Sequence, residues 1–259
     1  MFAKKSLGQN FLMHRQTAER IVAAAELEPG SLVVEIGPGT GMLTRALLDS
    51  GFRVHAVEAD ATLIPGLTEA FTKELEEGRL RIEHEDVRTL DLSKVARPYH
   101  VVANIPYYIT GEIIRKFLTH QNHPASMTLL VQKEVAERVA RSPKESLLSL
   151  SIKAYGVPSY RFTVPRGAFK PAPNVDSAVL NIREIAKQRF TDGAAEARFF
   201  AVLRAGFAQK RKQLLKNLET AGFGDVRIAF DATGLSYDVR AEDLSIDTWS
   251  MLATRVKSS

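Results

Sequence analysis

The sequence predicts an α/β protein, a mostly parallel sheet with an antiparallel edge, followed by a small helical domain. Three observations predict it. Short apolar runs rich in β-branched residues recur at regular spacing: Leu32–Ile36, Arg53–Val57, Leu80–Glu83, His100–Ala103 and Met127–Val131. Segments of helical period lie between or after them, at Thr40–Leu48, Ala61–Leu75, Glu112–Leu118 and Lys133–Arg141. Strands alternating with helices build βαβ units, whose helices cover both faces of a parallel sheet. After Leu147 the pattern changes. Ser159–Val164 and Ser177–Arg183 alternate as antiparallel strands do, and they bracket Pro165–Asp176, a loop with three prolines.

From Ala194 onward only helical patterning remains. The polar stretch Glu184–Gly193 ends in Asp-Gly and marks a domain boundary, giving residues 1–187 and 188–259 as the two domains. The sequence has no internal repeat or low-complexity segment.

Composition narrows the function classes. With 259 residues, 45% hydrophobic and 25% charged, the chain can bury a core and is neither disordered nor fibrous. Zero cysteine excludes a disulfide framework, a cysteine-ligated metal and a thiol nucleophile. The start, MFAKKSLGQNFLMHRQ, lacks the apolar core of a signal peptide, and no stretch approaches the roughly 20 apolar residues of a membrane span. The expectation is a soluble, cytoplasmic monomer with no metal. His120 and His123 lie three apart without nearby ligand partners, and Trp249 reads as a core residue of the tail.

Net charge is +5, and its placement is informative. Met1–Ala18, Arg161–Val175 and Arg198–Lys216 are basic and free of acid, the last with six basic side chains. Three positive patches on a nearly balanced chain point to a polyanion; solvated faces are the alternative.

Val33-Val34-Glu35-Ile36-Gly37-Pro38-Gly39-Thr40-Gly41 leaves a strand and enters a helix. Glycines there allow a tight turn and close approach of a ligand. The third glycine comes one residue too early for a dinucleotide fingerprint, and no Gly-Lys-Ser/Thr follows to make a P-loop. Glu58, 21 residues after Gly37, ends the second strand, where a carboxylate can take a ribose diol. Asp86 follows the third, where it can meet an adenine amino group. A merely tight connection is the competing reading of the turn alone.

Val101-Val102-Ala103-Asn104-Ile105-Pro106-Tyr107-Tyr108 places Asn104 at the carboxyl end of a strand, where α/β sheets bind ligands. Pro106 cannot donate and helps hold the Ile105 carbonyl outward. The Asn104 side-chain oxygen and that carbonyl form two adjacent acceptors, and Tyr107 adds a flat face for stacking. The set suits the exocyclic amine of adenine or cytosine. Two acceptors on its hydrogens draw the nitrogen toward tetrahedral geometry and restore lone-pair character.

Lys5-Ser-Leu-Gly-Gln-Asn-Phe-Leu12, the glycine turn, Val57-Glu58-Ala59-Asp60, Glu85-Asp86, Asn104-Ile-Pro-Tyr107 and Phe169-Lys-Pro-Ala-Pro-Asn-Val-Asp-Ser177 occur in that order. Together, over about residues 4–220, they resemble the ribosomal RNA adenine N6,N6-dimethyltransferases of the bacterial small-subunit type. The resemblance implies a Rossmann-like class I fold that uses S-adenosyl-L-methionine. It implies that residues 1–187 bind the cofactor and catalyse, and that residues 188–259 contact RNA. The implied substrate is two adjacent adenosines near the 3′ end of 16S rRNA within an immature 30S subunit. The implied cofactor residues are Asn10, Leu12, Gly37, Glu58, Asp86 and Asn104. The implied catalytic residues are Asn104, Pro106, Tyr107 and Phe169, with Tyr107 and Phe169 sandwiching a flipped adenine. Without the resemblance, Phe169 reads as a core plug.

If Arg198–Leu218 is helical, Phe200, Leu203, Phe207, Leu214 and Leu218 form one apolar stripe flanked by Arg204, Arg211 and Lys212. Those three are candidates for RNA backbone contact; Gly206 and Gln209 equally allow a break into two helices. Three other functions fit less well: a large-subunit adenine dimethylase conferring macrolide resistance, a non-catalytic assembly factor, and an NAD oxidoreductase.

Overall fold

The computed structural model describes Lys4, residues 8–186 and residues 189–257. Lys5-Ser6-Leu7 of the first motif and the expected boundary between residues 187 and 188 lie outside the described residues. The chain groups into two compact units. The first comprises Met1–Glu137 and Val157–Ile185, the second Arg138–Gly156 and Ala186–Ser259.

A seven-stranded sheet organises the first unit. In chain order its strands are β2 (Leu32–Ile36), β3 (Arg53–Glu58), β4 (Leu80–His84), β5 (His100–Asn104), β6 (Ser126–Gln132), β7 (Val157–Val164) and β9 (Ser177–Arg183). Their spatial order is β4-β3-β2-β5-β6-β9-β7. β2 to β6 pair in parallel, while β9 runs antiparallel to both β6 and β7. The central strands are covered on both faces, which is why they read as unbroken apolar runs: Val33, Val34, Val101, Val102, Ala103, Leu129 and Leu130 are fully buried. The chain steps outward from β2 to β4, then returns to lay β5 on the other side of β2. That reversal puts the ends of β2 and β5, and so Gly37 and Asn104, beside one crevice.

A two-stranded ribbon pairs β1 (Phe11–Leu12) with β8 (Phe169–Lys170), in register Phe11↔Lys170 and Leu12↔Phe169. Helix α1 (Arg15–Ala25) follows, burying Ala18, Ile21, Val22, Ala24 and Ala25. Helices α2 (Met42–Asp49) and α5 (Thr110–Thr119) follow β2 and β5, and α6 (Lys133–Ala140) follows β6.

One expected helix is two. Ala61–Leu75 breaks at Phe71 into α3 (Ile64–Ala70) and α4 (Thr72–Glu76). The buried Phe71 ring packs against Gly41, where a Cβ would lie 2.5 Å from a ring carbon, and the Arg45 guanidinium covers the ring at 4.4 Å.

The second unit is helical, with α7 (Leu147–Lys153), α8 (Gly193–Gly206), α9 (Leu214–Thr220), α10 (Val226–Thr233) and α11 (Ile246–Arg255). Asp192 caps α8 through the Ala195 amide at 2.8 Å. The stretch Arg198–Leu218 takes the broken form. The buried Asn217 carboxamide donates to the carbonyls of Gly206 (2.7 Å) and Gln209 (3.1 Å), tying the turn between α8 and α9. Leu203, Leu214 and Leu218 are buried, whereas Phe200 and Phe207 are half-buried. Trp249 is fully buried, stacks on Phe207 with centroids 5.7 Å apart, and donates to the Ala241 carbonyl at 3.3 Å.

Candidate active site

The ends of β2, β3 and β5, together with the segment Gly8–Leu12, line an open cavity. The glycine turn forms one wall. Gly37 has φ +65°, its amide donates to the Val57 carbonyl at 2.9 Å, and the place of a Cβ has no atom within 4 Å. A side chain there would be strained, and would occupy space otherwise open to a ligand. Gly41, at φ +81°, is glycine because Phe71 fills the place of its Cβ.

Glu58 sits buried at the end of β3. Its Oε2 accepts from the Gly39 amide at 3.1 Å and its Oε1 from the Asp60 amide at 2.8 Å. Burial raises its pKa, against those two amides, which favour the charged form. One carboxylate therefore fixes the glycine turn and keeps free lone pairs for a diol. Asp86 also lines the cavity, already gripped by Arg88, whose Nε lies 3.0 Å from both carboxylate oxygens. That hydrogen bonding holds its pKa below the usual carboxylate range.

The Asn104 carboxamide has a defined orientation. Its Nδ2 donates to the Asn10 carbonyl at 2.9 Å, a partner that can only accept, so Oδ1 is the oxygen left over. Neither Oδ1 nor the Ile105 carbonyl accepts a hydrogen bond from any described group. Both residues line the cavity. Pro106, at φ −59°, leads into a 3₁₀ turn over Tyr107–Ile109. The Tyr107 hydroxyl meets the buried Ser177 Oγ at 2.5 Å, which fixes the ring from its far end.

Asn10, Leu12, Gly37, Glu58, Asp86, Asn104, Pro106 and Tyr107 thus all line one cavity. Phe169 does not. It is 4% exposed and belongs to the apolar cluster with Leu12, Val164, Ala168 and Val179. No ring contact joins it to Tyr107 among the described residues. The physical reason is the ribbon: pairing with Leu12 turns the Phe169 side chain into the core.

Two cavity residues escape a reading from sequence. Glu35, in the middle of the motif, looks like a strand residue, yet it is 1% exposed and lines the cavity. Among the described residues, neither carboxylate oxygen meets a donor at hydrogen-bonding geometry. Burial pushes its pKa up to about 8, moderated by the nearby Thr44 hydroxyl and amide. An acidic residue inside an otherwise apolar strand run was the available signal. The other is Tyr108, 60% exposed at the cavity mouth.

In the second unit Arg204, Arg211 and Lys212 are all exposed. Arg211 and Lys212, with Gln209 and Lys210, line a shallow depression at the turn after α8. Among the described residues, no group of three or more His, Asp or Glu side chains could hold a metal ion.

A family model described as ribosomal RNA adenine dimethylase matches residues 2–258. The chain belongs to the ribosomal RNA adenine dimethylase family. Relatives named ribosomal RNA small subunit methyltransferase A match nearly its whole length. The one from Dehalococcoides mccartyi is 40% identical over 96% of this chain and 87% of its own. That from Xanthomonas campestris is also 40% identical, over 97% and 95%. Among solved structures, the 23S rRNA methyltransferase ErmE is similar at 28% identity and a TM-score of 0.76, covering 95% of this chain and 99% of its own. A dimethyladenosine transferase from Plasmodium falciparum shares the fold, with a TM-score of 0.73 at 23% identity over 93% and 95%. Family membership makes the chain a class I methyltransferase.

Proposed function

We propose that this chain transfers methyl groups from S-adenosyl-L-methionine to N6 of two adjacent adenosines near the 3′ end of 16S rRNA, within an immature 30S subunit in the cytoplasm. The observation that carries this reading is the Asn104 carboxamide, held by the Asn10 carbonyl so that its oxygen is left without a donor in the cavity that Ile105 also lines.

The cavity fits the cofactor. Gly37 leaves a cradle that a Cβ would fill, Glu58 offers lone pairs to ribose hydroxyls, and Asp86 offers acceptors to an adenine amine. When bound, S-adenosylmethionine would supply a methyl group on a sulfonium.

The residues of this chain do the rest by placement. Asn104 Oδ1 and the Ile105 carbonyl accept the two N–H bonds of the target amine and aim its nitrogen. Tyr107 gives the base a flat face that cannot swing while its hydroxyl is tied to Ser177. A base inside a helical stack is out of reach, so the target must be unpaired or flipped. The leaving thioether is neutral and the methylated amine sheds its proton to water, so neither a strong acid nor a strong base is required of the protein. The rate comes from orientation. A second stacking face from Phe169 would require that ring to leave the β1–β8 interface. Arg204, Arg211 and Lys212 would contact RNA phosphate, which positions without specifying sequence.

The relatives named for the small subunit, 40% identical, favour 16S rRNA over the 23S rRNA named for ErmE. Incubation with methyl-labelled cofactor and either immature small subunits or naked 23S rRNA tests this. Label in the small-subunit RNA, recovered as N6,N6-dimethyladenosine, is the expected result. Label only in 23S rRNA, or none in either, refutes the reading.

A further inference from the structure

Gly8–Leu12 is fastened at two points. At its end, β1 pairs with β8 and the Met13 amide donates to the Ala168 carbonyl at 2.9 Å. At its start the fastening is Asp60. The Asp60 side chain is 1% exposed, and its two oxygens accept from Gln9 Nε2 (2.9 Å), Lys4 Nζ (2.6 Å), the Thr62 amide (3.0 Å) and the Thr62 hydroxyl (2.6 Å). Its own amide donates to Glu58 Oε1 at 2.8 Å. A buried carboxylate is costly unless paired, and Lys4 is its one cationic partner among the described residues. Asn10, whose carbonyl orients Asn104, lies between the two fastenings.

We propose that Asp60 is a positioning residue for methyl transfer: its carboxylate latches Gly8–Leu12 against the cavity and so sets the direction in which Asn104 presents its oxygen. The inference rests on the methyl-transfer reading above. The connection runs in one line. Asp60 holds Gln9, Gln9 places Asn10, and the Asn10 carbonyl holds the Asn104 amide. Through its own amide, the same residue also steadies Glu58, the acceptor for the ribose. One residue, through its backbone amide on one side and its carboxylate on the other, thereby ties the cofactor side of the cavity to the target side.

Three variants test it, with two measurements on each: calorimetric binding of S-adenosylhomocysteine, and steady-state methyl transfer to immature small subunits. Asp60→Asn keeps an oxygen for the Thr62 turn but cannot serve Lys4 and Gln9 together. It should weaken S-adenosylhomocysteine binding and lower kcat, each by about tenfold, the effect expected from losing a charge-assisted hydrogen bond. The KM for RNA should stay put, and so should the thermal midpoint. Gln9→Leu leaves the Asp60–Thr62 turn intact and should shift both readouts in the same direction. Gln9→Glu on the Asp60→Asn background returns an oxygen–amide pair and a carboxylate for Lys4, and should regain much of kcat. Wild-type kcat in both single variants overturns the latch. So does a loss in Asp60→Asn that follows a fallen thermal midpoint and is not recovered by Gln9→Glu. Failure of the unaltered protein to bind S-adenosylhomocysteine would instead overturn the methyl-transfer reading, leaving the two failures distinct.

Discussion

Glu35→Gln should make the protein more stable at neutral and alkaline pH, because it removes a buried carboxylate that has no cationic partner among the described residues. The folded chain holds this group at about 8, against an ordinary value of 4.5, chiefly through burial. Below pH 4.5 both folded and unfolded chains keep the proton, and the group costs nothing. As pH rises from 4.5 to 8 the unfolded chain releases the proton first, so the folded state loses stability with each unit. Above 8 both states are charged and the loss levels off. At about 1.36 kcal/mol per unit, the loss is roughly 3 kcal/mol at pH 7 and roughly 5 kcal/mol across the whole window. Glutamine has nearly the same shape and no proton to lose. Urea unfolding of both proteins at pH 5, 6.5 and 8 isolates the effect, since every other titrating group is common to the pair. The two stabilities should nearly coincide at pH 5 and separate steadily above it, with the variant ahead. Parallel stability-against-pH curves would show that the Glu35 carboxylate finds compensation in solution, and would refute the reasoning.

Asn104→Ala should leave the circular dichroism spectrum unchanged while turnover falls by about a hundredfold or more, as for loss of one oriented polar contact at a reacting centre; turnover within a few-fold of wild type counts against the acceptor pair. Phe169→Leu separates two roles: a stacking role lowers kcat at constant melting temperature, whereas the buried position seen here lowers the melting temperature and spares kcat. At Gly206 a Cβ would meet the Trp249 ring and lie 2.7 Å from a Leu214 methyl, so Gly206→Ala should cost about 1–3 kcal/mol in urea unfolding. Replacing Arg211 and Lys212 together with alanine should weaken RNA binding and reduce the slope of log affinity against log salt by about 1.5; an unaltered slope would make these residues bystanders.

The parallel sheet was legible because its strands are buried on both faces, so apolar runs such as Val33–Val34 and Val101–Ala103 announce themselves without competition. The glycine turn, Glu58, Asp86 and Asn104 were legible because each stands at a strand end, where a polar or flexible residue interrupts such a run. Strands as short as β1 and β8 have no period to read, and they pair across most of the first unit. The inward turn of Phe169 follows from that pairing, so sequence alone could not decide between a stacking wall and a core plug. The break at Phe71 depends on what the ring packs against, Gly41 and Arg45, both distant in the chain. Glu35 was hidden for the opposite reason: it lies inside a segment whose neighbours all report strand.

The β1–β8 ribbon joins the earliest described strand to one that is synthesised nearly last in the first unit. Residues 8–12 leave the ribosome long before residues 168–170 exist to receive them, and pairing this distant in sequence forms slowly because it must first close a long loop. A nascent or truncated chain can therefore assemble β2 to β6 and still lack Asn10 at its station. The later of the two fastenings of Gly8–Leu12 is thus completed only once the β8 segment has been made.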